Sequence, residues 1–527
     1  MLDARGPAAR WERHGDCSSF VVVASGSPSL DPAVGASEGV VAAVDGHIPN
    51  RKALAAEQDL EPDASPGEVV ARLIARTGFV RAFSRLPGNV SVAAWQPETR
   101  TGWLARDRAG ARPLAWSRSL NGIAFATEAR ALVVGAQPRS AGGLDSLVAL
   151  GCALESGYAG VHPLAPGEVL SFAAGDPVSE RPSWSPGHPS GAAGNVDRWA
   201  RSMRYGLDLA YANGSRFAAP HGIALGGGLA SAALLAVRPR DASPALALTL
   251  VRGGVLEPGV AALAAAAGLP LLQVELDADA LDALVDQVAP NPAWVRPEAW
   301  VWAALSQRAW REGLVGLACG LGARAGFDPG LPFKRMPSFL AGVRAAGARL
   351  RAALPGPAAD LSLLAATLGP WHPGDDFALA ALSARLEGQS GRVSTEAVAR
   401  HIRLPEVDLA AFDAGCASFG LEGIAPFADP AFMAVACQAP AGVHHFGGRR
   451  GLLARVGGGN AGADPGDWPL DVAALISGFS LDTLSSRLEN RLDAAHVRAV
   501  VAEARRGHLP SQRRVFALEM VARGVTG

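Results

Sequence analysis

The chain has 527 residues, with 48 basic and 49 acidic side chains and a net charge of −1, which indicates neither a basic nucleic-acid surface nor an acidic solvating tail. Its five cysteines (Cys17, Cys152, Cys319, Cys416 and Cys437) stand singly, so they suggest no disulfide framework and no zinc site, and they fit a reducing cytoplasm. The length allows about two to four domains. The longest uncharged apolar stretch, residues 259–274, carries Gly268 and Pro270 and reads as helix, turn and strand rather than a membrane span.

In chain order, the N-terminus mixes charged and small residues and has no signal-peptide pattern. Phe20 to Ala24 and Gly39 to Val44 are β-branched runs bounded by Gly, Ser and Pro, and are expected strands. Helical spacing follows over Arg51 to Gln58 and Gly67 to Thr77, with turn and N-cap residues at Asp63 to Pro66. Strands are expected at Val90 to Trp95 and Gly102 to Ala105, followed by a charged turn over residues 106–113. Residues 181–196 are taken as a linker, because Pro, Gly and Ser dominate and periodicity is lost. It divides the chain into domains over 1–180 and 197–527.

Helical spacing resumes over Asn195 to Tyr211. Strand and helix then alternate: Ala245 to Val251, a helix through Ala266, Leu271 to Leu276, Ala278 to Val288 and a Trp-rich helix over Pro297 to Glu312. That alternation predicts a parallel sheet with crossover helices. Trp294, Trp300, Trp302 and Trp310 have the spacing of core packing, which is favoured over a binding surface.

The chemically suggestive stretch is Ile223 to Leu225, three glycines (Gly226 to Gly228) and a small-residue segment from Leu229. A strand, a glycine turn and a helix start make a phosphate cradle, because free N–H groups of the first helical turn face the anion. The same pattern also serves as a plain tight connection, and both readings stand on this stretch alone.

Several motifs resemble the asparagine synthetase family. Leu225-Gly-Gly-Gly-Leu-Ala-Ser-Ala232 is similar to its Leu-Ser-Gly-Gly-Leu-Asp-Ser-Ser pyrophosphate loop, with Gly226 for the first Ser and Ala230 for a magnesium-binding Asp. Cys319 to Ala325 resembles Ser-Gly-Glu-Gly-Ala-Asp-Glu, with Leu321, Arg324 and Ala325 at the acidic positions. Asp45-Gly-His-Ile-Pro-Asn50, Leu86 to Trp95, Ala105 to Leu114, Phe125 to Glu128 and Val161 to Gly167 resemble motifs of the family's glutaminase half, in order. Asp413 to Asp429 resembles Asp-Arg-Met-Ser-Met-Ala-His-Gly-Leu-Glu-Val-Arg-Val-Pro-Phe-Leu-Asp, keeping Asp413, Glu422 and Asp429 and losing both arginines.

The resemblance implies an α+β N-terminal nucleophile-hydrolase-like sandwich, then an α/β ATP-pyrophosphatase domain with added helices. It implies nucleotide contacts at Leu225, Gly227, Gly228, Ser231, Gly320 and Gly322, and a glutamine-site remnant at Asp45, Gly46 and His47. Asp413, Glu422 and Asp429 would be a structural motif. The family's chemistry is adenylation of a carboxylate by magnesium-ATP and amide formation. A glutaminase needs an N-terminal Cys, whereas this sequence opens with Met1-Leu2; the resemblance to the family's Arg-Gly-Pro segment at Arg5 to Pro7 suggests a longer N-terminus. His47 in place of the glutamine-holding Glu argues against glutaminase activity in either case.

That combination is most like the lasso peptide macrolactam cyclases, with a precursor peptide as partner and ATP and magnesium as cofactors. Magnesium needs carboxylate or phosphate oxygens, and Ala230, Leu321, Arg324 and Ala325 supply none; Arg324 is the candidate phosphate contact. The alternative is a catalytically inactive pseudoenzyme that binds a peptide or an intact homologous enzyme. Loss of charges with retention of glycines favours the inactive reading. No catalytic residue, metal ligand, nucleic acid or membrane partner is assigned.

Overall fold

The computed structural model describes residues 9–15, 18–24, 34–119, 122–133, 158–173, 178–180, 195–239, 241, 243–323, 399–439, 448–457, 470–488 and 492–524. The expectations on Cys17, Cys152, Arg324, Ala325 and the body of the linker lie outside them.

The strands of the first part are β1 (Ala9–Gly15), β2 (Ser18–Ala24), β3 (Val34–Ser37), β4 (Val40–Gly46), β5 (Val90–Gln96), β6 (Thr101–Arg106), β7 (Ala115–Ser119), β8 (Gly122–Ala126), β9 (Val161–Pro163), β10 (Val169–Phe172) and β11 (Val178–Glu180). An antiparallel six-stranded sheet runs in the order β11-β10-β6-β5-β4-β3, and a three-stranded one in the order β8-β7-β9. Alternation along the strands sorts the side chains. Val40, Ala42, Val44, Val92 and Ala94 face the helix Pro66–Thr77, while Ala43, Ala93, Leu104 and Leu170 meet Leu114 and Leu164 beneath the smaller sheet. The layers are therefore helix, sheet, sheet.

The helix Pro66–Thr77 starts where the sequence asks: Ser65 accepts the Glu68 N–H at 3.1 Å, Pro66 occupies the first turn and Glu68 faces the helix dipole. Strand β1 was not expected. Its sequence, Ala-Arg-Trp-Glu-Arg-His-Gly, has no β-branched residue, and it is identified only by its antiparallel pairing with β2.

The second part holds β12 (His221–Ala224), β13 (Leu246–Val251), β14 (Leu271–Glu275), β15 (Gly316–Ala318) and β16 (Glu422–Ile424). They form a parallel sheet in the order β14-β13-β12-β15-β16. The chain therefore starts in the middle, fills one side and then the other, which creates a topological switch point between β12 and β15. Helices Val196–Phe217, Leu229–Val237 and Pro297–Arg311 share one large apolar core with the sheet. The first of these runs six residues past the expected Tyr211 end, whereas the helix from Ala278 stops at Val285 rather than Val288.

Trp294 and Trp300 are fully buried, with ring centroids 4.9 Å apart, and Trp302 packs edge-on to Phe412 at 4.8 Å. Trp310 is 57% exposed, which corrects its assignment to the core. It lies in the last turn of Pro297–Arg311, where its neighbour Ala309 stays fully buried. Trp310→Ala should therefore change stability by less than about 0.5 kcal/mol in thermal melting.

Candidate functional site

Two places gather the residues singled out by the sequence. The first is the switch point. Leu225 leaves β12 buried, Gly227 takes a positive φ of 75°, and Gly228 sits at the N-cap of Leu229–Val237 without a side-chain cap. Ser231 is buried, and its Oγ accepts the Gly226 N–H at 3.1 Å, so the turn satisfies one of its own donors. The turn after β15 lies against it: a Cβ on Gly320 would come within 2.9 Å of the Ala230 Cβ. Gly322 has φ of 93° and passes so close to Phe427 and Ala428 that a Cβ there would meet backbone at 2.7 Å, so only glycine fits.

The two glycine turns thus meet in the crevice where parallel sheets bind ligands. Ala230 and Leu321 in these turns offer no carboxylate oxygen to magnesium, and among the described residues no group of His, Cys, Asp and Glu side chains could hold a metal. Cys319, at the start of the second turn, is buried, and burial raises its thiol well above the usual range, so it is not a ready nucleophile.

The second place lies between the two parts of the chain. Asp45 and Gly46 end β4, and Gly46, at φ of 110°, carries the backbone so close to Asn89 that a Cβ would strike its carbonyl. His47 follows. Its ring stacks on Phe217, the last residue of the long helix, with centroids 4.3 Å apart and planes 6° from parallel. Its Nε2 is 3.6 Å from Glu422 Oε1. Burial, helped by the Arg112 charge, lowers the His47 pKa to about 3, so the ring is neutral.

Arg112 hydrogen-bonds Glu422 and lies 3.8 Å from Asp413. Asp429 accepts the Ala431 and Phe432 N–H groups at 2.8 and 3.2 Å as the N-cap of the helix Pro430–Gln438. Nearby, Asp107 folds the charged turn by accepting the Ala111 and Arg112 N–H groups, and burial raises its pKa. His47, Asn89, Arg112, Asn213, Asp413 and Glu422 face a cavity of about 80 Å³. The sequence brought the acids of this region together in one motif, but it gave no signal for Phe217, Asn89 or Asn213, which come from other elements.

Comparison with known sequences and structures adds the following. A profile of the glutamine amidotransferase domain matches residues 21–184. Those residues form a glutamine amidotransferase-like domain. No curated protein sequence matches the chain. A structure of the allosteric regulatory enzyme of purine biosynthesis is similar at 17% identity and a TM-score of 0.23, over 49% of this chain and 50% of that one. Glutamine phosphoribosylpyrophosphate amidotransferase from B. subtilis, complexed with ADP and GMP, is similar at 17% identity and a TM-score of 0.23, over 57% of this chain and 67% of that one. The chain thus spans half the length of the first of these proteins. No described helix is long and apolar enough to cross a membrane.

Proposed function

We propose that this protein is a catalytically inactive relative of the ATP-dependent amide ligases, a binding module that keeps an asparagine synthetase-like frame without its metal–nucleotide chemistry. The observation that carries this reading is the crevice between β12 and β15, where both glycine turns remain and no described group of His, Cys, Asp and Glu side chains could hold a metal. The acids retained elsewhere are engaged in structure. Glu422 and Asp413 hold Arg112, and Asp429 caps a helix. At the position of a glutamine-holding Glu, His47 is stacked and neutral. A reducing, cytoplasmic setting goes with the buried free thiols of Cys319 and Cys416. The partner would be a peptide or an intact homologous enzyme.

The glycine turns at the switch point favour one second reading, a macrolactam-forming ligase that acts on a precursor peptide. Titration calorimetry with magnesium-ATP separates the two. The inactive reading expects no heat of binding at millimolar nucleotide, and no AMP or pyrophosphate released with or without candidate peptides. Binding with AMP release would overturn it in favour of the ligase, and Arg324 would become the next residue to substitute.

A further inference from the structure

The longest described helix, Val196–Phe217, has two unlike faces. Ala200, Met203, Leu207, Ala210 and Tyr211 are buried in the core. Opposite them, Arg198, Ser202, Tyr205, Leu209, Ala212 and Arg216 follow one another at steps of four, three, four, three and four residues. That is the spacing of a two-helix seam, in which every position of the row turns towards the same neighbour. Here the row faces outward: Tyr205 is 72% exposed and Leu209 48%, both arginines and Ser202 are exposed, and Ala212 is half-buried. Single apolar side chains at a surface need no partner. Of the five exposed large apolar side chains among the described residues, however, Val80, Val255 and Trp310 stand on separate elements, whereas Tyr205 and Leu209 occupy successive turns of this one row. The charges follow the same line. Arg198 and Arg216 close its two ends, about 27 Å apart at 1.5 Å per residue. Neither is in an ion pair among the described residues, and Asp197, the acid beside Arg198, is held by Arg455 at 3.4 Å. Arg201 and Asp208 flank the row and offset each other in charge.

We propose that this outer row docks an acidic amphipathic helix of a partner protein, apolar at its middle and carrying a carboxylate near each end. Tyr205, Leu209 and Ala212 supply the apolar middle, about 10 Å of seam. The two arginines ask for carboxylates about 27 Å apart, so a partner helix of about five turns spans the row. A second copy of the same row fits less well, because none of its six residues is acidic and it would set arginines near arginines. Binding along such a seam rests on the apolar middle, while the end charges decide which partner is accepted. Docking here uses no group of the glycine crevice, so it holds for either reading of that crevice.

The test uses the full chain and two labelled synthetic helical peptides, each with leucines along one central face, one carrying glutamates at both ends and the other lysines. Fluorescence anisotropy is the readout. The glutamate peptide is expected to bind saturably and the lysine peptide at least about tenfold more weakly, with the difference shrinking at high salt. Arg198→Glu together with Arg216→Glu should reverse the preference, and Leu209→Asp should abolish binding of both peptides. These side chains are exposed, so the melting temperature should hold, and a reversed preference is a result that misfolding cannot give. Equal binding of the two peptides, binding of neither, or binding indifferent to these variants would overturn the proposal. So would a dimer in sedimentation equilibrium, or attachment to phosphatidylserine vesicles, that Leu209→Asp removes: the former would give the row to a second copy and the latter to a membrane surface.

Discussion

Arg106→Ala is expected to lower the unfolding free energy by about 3–5 kcal/mol, the usual result of removing one partner of a buried ion pair. Arg106 ends β6, and its side chain is 3% exposed against 8% for Glu406, which lies three hundred residues further on in the π-helical turn Ala399–Leu409. One guanidinium nitrogen reaches Glu406 Oε1 at 2.9 Å and the Leu164 carbonyl at 2.8 Å, and the other reaches the Gly110 carbonyl at 2.7 Å. Truncation takes the Arg106 donors from the Glu406 carboxylate and from the carbonyls of Leu164 and Gly110. Replacing the pair together, Arg106→Met with Glu406→Leu, should recover only part of the loss, because the carbonyls of Leu164 and Gly110 still go unmet. Urea unfolding followed by tryptophan fluorescence and by far-UV circular dichroism checks both variants. A loss below about 1 kcal/mol for Arg106→Ala would mean that the pair does not join the two parts.

Acid should be the second strong perturbation. His221 is 1% exposed, accepts or donates one hydrogen bond with the Tyr211 hydroxyl at 3.2 Å, and has its pKa lowered by burial to about 4. His47 is lowered to about 3. Both are neutral in the fold and take a proton near pH 6.5 when unfolded, so the unfolded chain binds more protons below that pH. Their contribution is full above pH 6.5 and falls as the pH drops towards 4. By then His221 alone accounts for roughly 3 kcal/mol, and His47 for a similar amount, at about 1.4 kcal/mol per pH unit. Asp107 and Asp429, raised by burial, act in the opposite sense, in the range where carboxylates titrate. The measurement is the melting temperature from pH 7 to 4 for the native protein and for His221→Gln and His47→Phe. Each variant should flatten the curve, and a curve unchanged in both would locate the acid sensitivity elsewhere.

Much of the scaffold was legible because it is written locally. Val40 to Val44 and Val90 to Trp95 alternate between two apolar layers, and Ser65-Pro66 with Glu68 marks a helix start by chemistry confined to four residues. The switch-point crevice was legible too, since a strand, glycines and a helix start follow one another within fifteen residues. What escaped depends on distance. Nothing near His47 foretells that Phe217 stacks on it, and nothing in residues 106–113 names Glu406, Asp413 or Glu422 as partners. Trp310 escaped for another reason: helical spacing groups it with the buried tryptophans, yet it is exposed while its neighbour Ala309 is fully buried.

The strand order of the parallel sheet also sets a timetable for folding. β12 is the central strand, and its partners β13 and β14 follow it closely, whereas β15 and then β16 arrive much later in the chain. Until they do, one side of β12 is an open edge, the kind of backbone row that pairs with the wrong chain. The first domain waits as well, because Glu406, Asp413 and Glu422 are the groups to which Arg106 and Arg112 fasten. A ribosome that stalled before Glu406 would hold a chain with four of the five strands and with Arg106 and Arg112 lacking their carboxylate partners, dependent on chaperones until the last strand is made.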